Sequence, residues 1–446
     1  MSSIRQVWSR SRIFRVGLVC AVLCSLLLLV VQGWLLFDTE PTPGEESVIG
    51  IDLRIYVTAA KHFQQQQDIY LKGSLDVMED QYPYAPSFAA AFVPFLWLPS
   101  FTLIAIVHTL LHIAAYVFLY ICWERIFRDL GLVRAREMVA CTLPVWLIFT
   151  AFWGDLGYLN IYVIMALLGT LLIEAVLNER LGWSILWLSI IVQIKPQWAF
   201  AAAVPLLLGR YRFFLKLLAI GAVVYVAVVG ITMLVGGPAY VWQQYSDYAQ
   251  FLGRLSHDWP WRGPEAPYLG YNHSVKQIIL YLLGVVPDTQ RLGTGVKVVL
   301  LVPLGIVSLW HLLRPARQPG RNVPQLSLDL AFALYLGAFV WLDVVWEVTL
   351  GIAVFVYLLA TLESRAAKIV IWGVFLPYAL VSIFQIGGVA LLGMDAVDGA
   401  YILTDPSIYF PIIMAVILTF YALLVARLWR AGPGDERRIA VSEHAP

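Results

Sequence analysis

The chain runs again and again for about twenty residues with hardly a charge, and few folds accommodate such runs. The first extends from Val16 to about Phe37, behind a basic stretch that carries Arg5, Arg10, Arg12 and Arg15. At roughly 1.5 Å per residue, a helix of that length crosses the hydrocarbon core of a bilayer. A cleaved signal peptide would be shorter and would end in small residues, whereas this run ends in Gln32, Gly33, Trp34 and Leu35. It reads as a retained transmembrane helix. Composition agrees, because only 13% of the 446 residues are charged, about half the share found in soluble domains. A net charge of +1 offers no basic field for nucleic acid. Cys20, Cys24, Cys122 and Cys141 all lie inside apolar runs and read as small buried hydrophobes. The sequence therefore predicts an all-α, polytopic integral membrane protein.

Lys and Arg near helix ends stay on the cytoplasmic side, so they orient the chain. The Arg-rich N-terminus starts inside, and residues 38–86 become a first external loop rich in Asp and Glu. The chain returns through 101–123 to a basic turn containing Arg125, Arg128, Arg134 and Arg136. Helices near 138–152 and 161–177 follow, joined by a short external link from Trp153 to Asn160. The stretch 183–208 has basic residues at both ends yet the length of a single span. Two half-length helices meeting at Lys195-Pro196 reconcile those facts, since proline disrupts a helix interior. A helix over 214–235 leads to a second external loop, 236–292, and 295–313 returns to Arg314, Arg317 and Arg321. Residues 328–362 repeat the half-helix pattern around Asp343 and Glu347. Helices over about 369–391 and 407–429 end in a cytoplasmic tail, 430–446. The expectation is one membrane domain, 1–446, with about ten to twelve transmembrane or half-membrane helices and both termini cytoplasmic. Within the first loop, Leu53, Tyr56, Val57, Ala60 and Phe63 recur at helical spacing and predict a short amphipathic helix in the interface.

Polar groups at membrane depth are costly and tend to face cavities. Lys195 is such a group. It can snorkel or pair with a structural carboxylate, or act as a point charge on a lipid-borne phosphate. Asp52 can cap the amphipathic helix, and a carboxylate fixed in that way suits a general base. Asp155 and Asn160 can reach a pocket from the 153–160 link. The second loop offers Arg254, His257, Arg262, Asn272 and His273 to a phosphate. Asp343 reads as a charge at a helix end, and Glu347 as a cavity group. Asn272-His273-Ser274 also has the form of an N-glycosylation acceptor.

The order of motifs resembles glycosyltransferase family 87, the polyprenol-phosphate-mannose-dependent mannosyltransferases of the GT-C superfamily. The resemblance rests on Asp52 with Tyr56, Asp68-Ile69-Tyr70, and Tyr82-Pro83-Tyr84-Ala85-Pro86 running into a helix with Pro94 and Pro99. Gly157-x-x-Asn160, Lys195-Pro196 and Asn272-x-Ser274 continue it, over about 50–285. The family usually has Gly-Gln-x-Asn where this chain has Gly157-Tyr158-Leu159-Asn160. Many members carry Trp followed shortly by His where this chain reads Trp346-Glu347. The resemblance implies inverting transfer of one sugar, expected to be mannose, from a polyprenyl-phosphate carrier to a lipid or glycan hydroxyl on the external face. It also implies Asp52 as the catalytic base.

The chemistry is coherent on its own terms. Asp52 would deprotonate the acceptor, and the phosphate leaving group would need charge stabilisation rather than a proton. Lys195 with Arg254, His257 or Arg262 could supply that charge. Tyr56, Tyr82, Tyr84, Asp155, Asn160 and Glu347 complete the expected cavity. No sequence cluster has the form of a metal site, so neither a metal nor another cofactor is expected. Partners are the lipid-linked donor, the acceptor and membrane lipids, in a bacterial plasma membrane as the first expectation. A transporter or flippase, or a non-catalytic binder of lipid-linked sugars, is the alternative, since broken helices with polar tips mark transporters too.

Overall fold

A computed structural model describes residues 2–37, 50–70, 82–258, 272–284, 286–313, 323–383 and 410–430. Those residues form helices joined by short breaks, with no strand among them. Among the described residues, seven helices are long and apolar enough to cross a membrane, or eight if a bent pair over Val133–Tyr158 counts as one span. The protein is an all-α, polytopic membrane protein.

After a short α1 (Ser2–Arg10), α2 (Arg12–Phe37) covers the first apolar run. It and α12 (Tyr211–Gly236) are buried over only 11% and 6% of their most apolar windows. On α12, Val223 and Val226 are each 68% exposed and Leu234 84%. Presenting such a surface to water would forfeit about 25 cal/mol for each Å² of apolar area. Lipid is the medium that accommodates it. By contrast, the apolar window of α16 (Val323–Trp341) is 72% buried, which makes it a central helix.

The amphipathic helix α3 (Ile51–Gln64) forms where its spacing predicts. Leu53, Tyr56, Val57, Ala60 and Phe63 are all buried, on a face that packs against α4 (Pro86–Phe92) and the 3-10 turn Val93–Trp97. Asp52 is not its cap. Gly50 holds that position with φ 74°, and no side-chain capping bond is made. A left-handed residue directly before the helix favours glycine. A Cβ at Gly50 would also come within 3.3 Å of the Leu159 side chain.

Helix α5 (Phe101–Asp129) starts on a true cap, where Ser100 Oγ accepts the Leu103 N–H at 3.2 Å. Beyond it, α6 (Val133–Cys141), α7 (Leu143–Ile148) and α8 (Thr150–Tyr158) make a bent unit, with a 52° bend after Cys141. The expected external link over 153–160 is thus mostly helix. Only Leu159, Asn160 and Ile161 separate α8 from α9 (Tyr162–Leu177). Leu159 turns the chain there with φ 50°.

The two expected breaks occur. Helix α10 (Leu181–Ile194) stops at Lys195, which is extended (φ −136°, ψ 88°). The ring of Pro196 disfavours a helical residue before it. A 3-10 segment, Pro196–Ala203, and the short α11 (Val204–Leu207) follow. Residues 342–350 likewise separate α16 from α17 (Gly351–Thr361). The 236–292 segment is more helical than a loop, with α13 (Pro238–Asp258), α14 (Val275–Leu283) and the start of α15 (Pro287–Leu313) inside it. Helices α18 (Arg365–Ala379) and α19 (Phe410–Arg430) complete the described chain. The tail beyond Arg430 and the turn holding Arg314, Arg317 and Arg321 lie outside the described residues.

Ion pairs gather at one end of the bundle. Arg125 meets Glu174 at 2.5 Å, Arg136 meets Glu124 at 2.5 Å, and Arg210 meets Glu179 at 3.2 Å. Arg427 of α19 bonds both Asp329 of α16 and Thr361 of α17, and Tyr357 donates to Asp329 at 2.7 Å. A buried carboxylate stripped of its cation costs far more than the intact pair contributes. Arg427→Met should therefore lower stability by about 3 kcal/mol or more. Asp329→Asn in the same chain should recover most of that loss, with both read as thermal unfolding in detergent. Equal losses in the single and double variants would exclude this account.

Candidate active site

At the other end of the bundle, polar side chains converge where helices begin, end or break. Asp155 on the last turn of α8 organises the centre. Its Oδ1 accepts the Tyr162 N–H at 3.1 Å and its Oδ2 the Val163 N–H at 2.8 Å. The carboxylate thus caps α9, where the helix dipole favours negative charge. His112 Nε2 of α5 lies 3.2 Å from the same Oδ2.

Two histidines of α5, one turn apart, also hold the corner between α8 and α9. His108 Nε2 is 3.0 Å from the Leu159 carbonyl, and His112 Nε2 bonds the Asn160 carbonyl. His112 Nδ1 in turn bonds the His108 carbonyl at 2.9 Å. The corner is left-handed at a leucine, a conformation that needs outside support.

That corner aims Asn160. Its Oδ1 accepts from the Ile161 N–H at 2.7 Å and from the Tyr56 hydroxyl at 3.0 Å. Its amide nitrogen is left to bond the carboxyl of Asp52. Tyr56 also meets the Tyr84 hydroxyl at 3.0 Å, so α3, the 84–86 segment and the corner share one network. Asp52 is 8% exposed. Burial raises its pKa from the usual carboxylate value to about 7; the Lys195 ammonium and the Asn160 bond oppose the rise, and the charge of Asp155 adds to it.

Lys195 faces Asp52 without forming a direct ion pair among the described contacts. Its Nζ lies 4.0 Å from the centre of the Tyr162 ring and 4.9 Å from that of Tyr84. It makes no hydrogen bond among the described residues. Ring faces steady the ammonium and leave its three N–H groups to an anion. Glu347 closes another side. Its Oε1 lies 3.5 Å from where a Cβ on Gly154 would sit, and the Tyr378 hydroxyl donates to its other oxygen.

The structure therefore brings together Asp52, Tyr56, Tyr84, Asp155, Asn160 and Lys195, with Glu347 beside them. Tyr82 borders this group, its ring 5.3 Å from that of Tyr84. Asn272 and His273 bond the 342–350 break that carries Glu347. Asn272 Nδ2 donates to the Asp343 carbonyl at 2.8 Å, its Oδ1 accepts the Val345 N–H at 3.1 Å, and the His273 N–H bonds the Val345 carbonyl at 2.7 Å. They brace the 342–350 break, and at 1% exposure Asn272 is not presented as a glycosylation acceptor. Asp343 pairs with Lys297 at 2.6 Å and Lys276 at 3.6 Å, as suits a charge at a helix end. The side chains of Arg254 and His257, and all of Arg262, lie outside the described residues.

His108, His112 and Tyr162 belong to the site and were not singled out from sequence. Two histidines four apart in the otherwise apolar 101–129 run were the available signal. Tyr162 gave none, since tyrosines are common at interfaces.

Comparison with known proteins adds kinship to this geometry. No curated protein and no solved structure matches the chain. The family model of glycosyltransferase family 87 matches residues 82–332. That span holds Tyr84, Asp155, Asn160, Tyr162 and Lys195, begins after Asp52, and covers more than half of the chain. It favours sugar transfer over transport. The chain belongs to glycosyltransferase family 87, and is a membrane-embedded glycosyltransferase.

Proposed function

We propose that this glycosyltransferase moves a hexose, mannose in the first instance, from a polyprenyl-phosphate carrier to a hydroxyl of a lipid or glycan acceptor, with inversion. The observation that carries the reading is the pair at its centre. A buried carboxylate faces a buried ammonium that has aromatic rings around it and no hydrogen-bond partner among the described residues. An ammonium with unspent donors in a dry setting suits a phosphate.

In this scheme Asp52 takes the proton of the acceptor hydroxyl as that oxygen attacks the anomeric carbon. The bond from the anomeric carbon to the phosphate oxygen breaks, and its electron pair leaves with the phosphate. Lys195 stabilises the charge that gathers on the leaving oxygen. No second acid is required, because a phosphate monoester leaves without a proton. That distinguishes the reaction from glycoside hydrolysis, which uses two carboxyl groups. Asn160 and Tyr56 hold the base in place. Lys195 supplies the electrostatic role that a divalent ion fills in many transferases, so the reaction is proposed to be metal-independent.

The basic residues Arg125, Arg136, Arg210 and Arg427 lie at the end of the bundle away from the site. By the positive-inside tendency, this supports an external active site with cytoplasmic termini. A plasma membrane, bacterial in the first instance, is the proposed location.

Purified protein in detergent, given radiolabelled polyprenyl-phosphate mannose and a mixed pool of lipid and glycan acceptors, tests the scheme. Asp52→Asn should lower transfer by at least a thousandfold while donor binding persists; retention of transfer would remove Asp52 from the chemistry. For wild type, kcat/KM should fall as pH drops through about 7, because the base must be ionised and burial raises its pKa. An acid limb near pH 4 would contradict a buried base. Chelation by EDTA should leave the rate unchanged, and loss of activity restored by manganese or magnesium would exclude metal independence.

A further inference from the structure

A second buried polar side chain lies two residues before Lys195 with a donor unspent among the described residues. Gln193 lies on the last turn of α10, two residues before Lys195, and is 7% exposed. The Ser87 hydroxyl donates to its Oε1 at 2.5 Å, which fixes the amide. Its Nε2 is buried and has no hydrogen-bond partner among the described residues. A buried amide nitrogen in that state is a hydrogen-bond donor that calls for a partner.

The position of that nitrogen is informative. Lys195 lies over the ring of Tyr84, and Gln193 is tied to Ser87, three residues further on. Both side chains therefore meet the same short segment at the start of α4, from the same helix end. The helix stops between them, so Lys195 is extended while Gln193 is still helical. Two buried donors, one charged and one neutral, are presented by one break in the chain.

We propose that Gln193 Nε2 donates to a phosphate oxygen of the lipid-linked donor, as the neutral partner of Lys195 in one phosphate site. The inference rests on the reading of Lys195 as the phosphate cation and extends it to a residue for which the sequence motifs gave no role. A point charge attracts a phosphate from any direction, whereas a fixed amide selects one orientation. Gln193 therefore sets how the carrier phosphate sits, and with it the face of the sugar turned toward Asp52.

Binding of polyprenyl phosphate without sugar isolates this contact from the chemistry. In nanodiscs, Gln193→Met should weaken that binding roughly tenfold or more, the usual effect of losing a hydrogen bond to a charged group. Gln193→Glu keeps the shape and the acceptor for Ser87 but removes the donor and adds negative charge, so its loss should be larger. Thermal unfolding of Gln193→Met should be no lower than wild type, since the variant removes an unsatisfied amide. Should the stranded Ser87 hydroxyl unfold it, Ser87→Ala combined with Gln193→Met removes both halves of the pair and is tested in its place. Polyprenyl phosphate bound as tightly by the folded variant as by wild type would overturn the proposal. Mannose transfer is measured alongside. Wild-type binding that depends on Gln193 without any transfer would sink the transferase scheme and leave this site standing. Normal transfer with binding indifferent to Gln193 would do the reverse.

Discussion

The site depends on one electrostatic contact, the Asp155 carboxylate against the first N–H groups of α9. A helix start inside a membrane protein presents donors that water cannot reach, and Asp155 satisfies two of them. In doing so it fixes the corner from Leu159 to Ile161 and the first residue of the helix. The corner aims Asn160 at Asp52, and the first helical residue, Tyr162, carries the ring beneath Lys195. The Asp52 carboxylate and the Lys195 ammonium are thus both positioned through the same capping bond. The proposed cost of the arrangement is a second negative charge near Asp52, which adds to the rise of its pKa.

Burial and pairing divide the labour among the carboxylates. Asp155 and Asp343 are committed to helix ends and lysines, and Asp329 to Arg427. Among the described residues, Asp52 has an amide to hold it and a cation across a gap. A carboxylate held weakly in a dry place is a better proton acceptor than one in water or one locked in an ion pair. The sequence offers Asp52, Asp155 and Asp343 alike as candidate acids; the contacts separate the structural ones from the candidate base.

Much of the architecture was legible because lipid forces a simple code. Long apolar runs give the spanning helices, and Lys195-Pro196 and the Asp343–Glu347 stretch mark breaks that the structure contains. The amphipathic spacing at Leu53, Tyr56, Val57, Ala60 and Phe63 located α3. What failed was local. Residues 153–158, expected as part of a short external link, are helical. The Asp155 carboxylate caps the following helix across the corner, which no spacing rule anticipates. Asp52 resembled a cap by its residue type, while the actual cap needed the left-handed backbone that Gly50 provides. His108 and His112 escaped notice because their partners are backbone carbonyls about fifty residues away in sequence.

The family match opens at residue 82, and Asp52 precedes it. The proposed phosphate site, Lys195 between the rings of Tyr84 and Tyr162, falls within the matched stretch, whereas the proposed base enters on a separate helix. The family match and the proposed base therefore lie on different pieces of the chain. A relative that kept the stretch and replaced the one carboxylate would still be counted in the family, yet under the proposed scheme it would bind its donor without transferring the sugar.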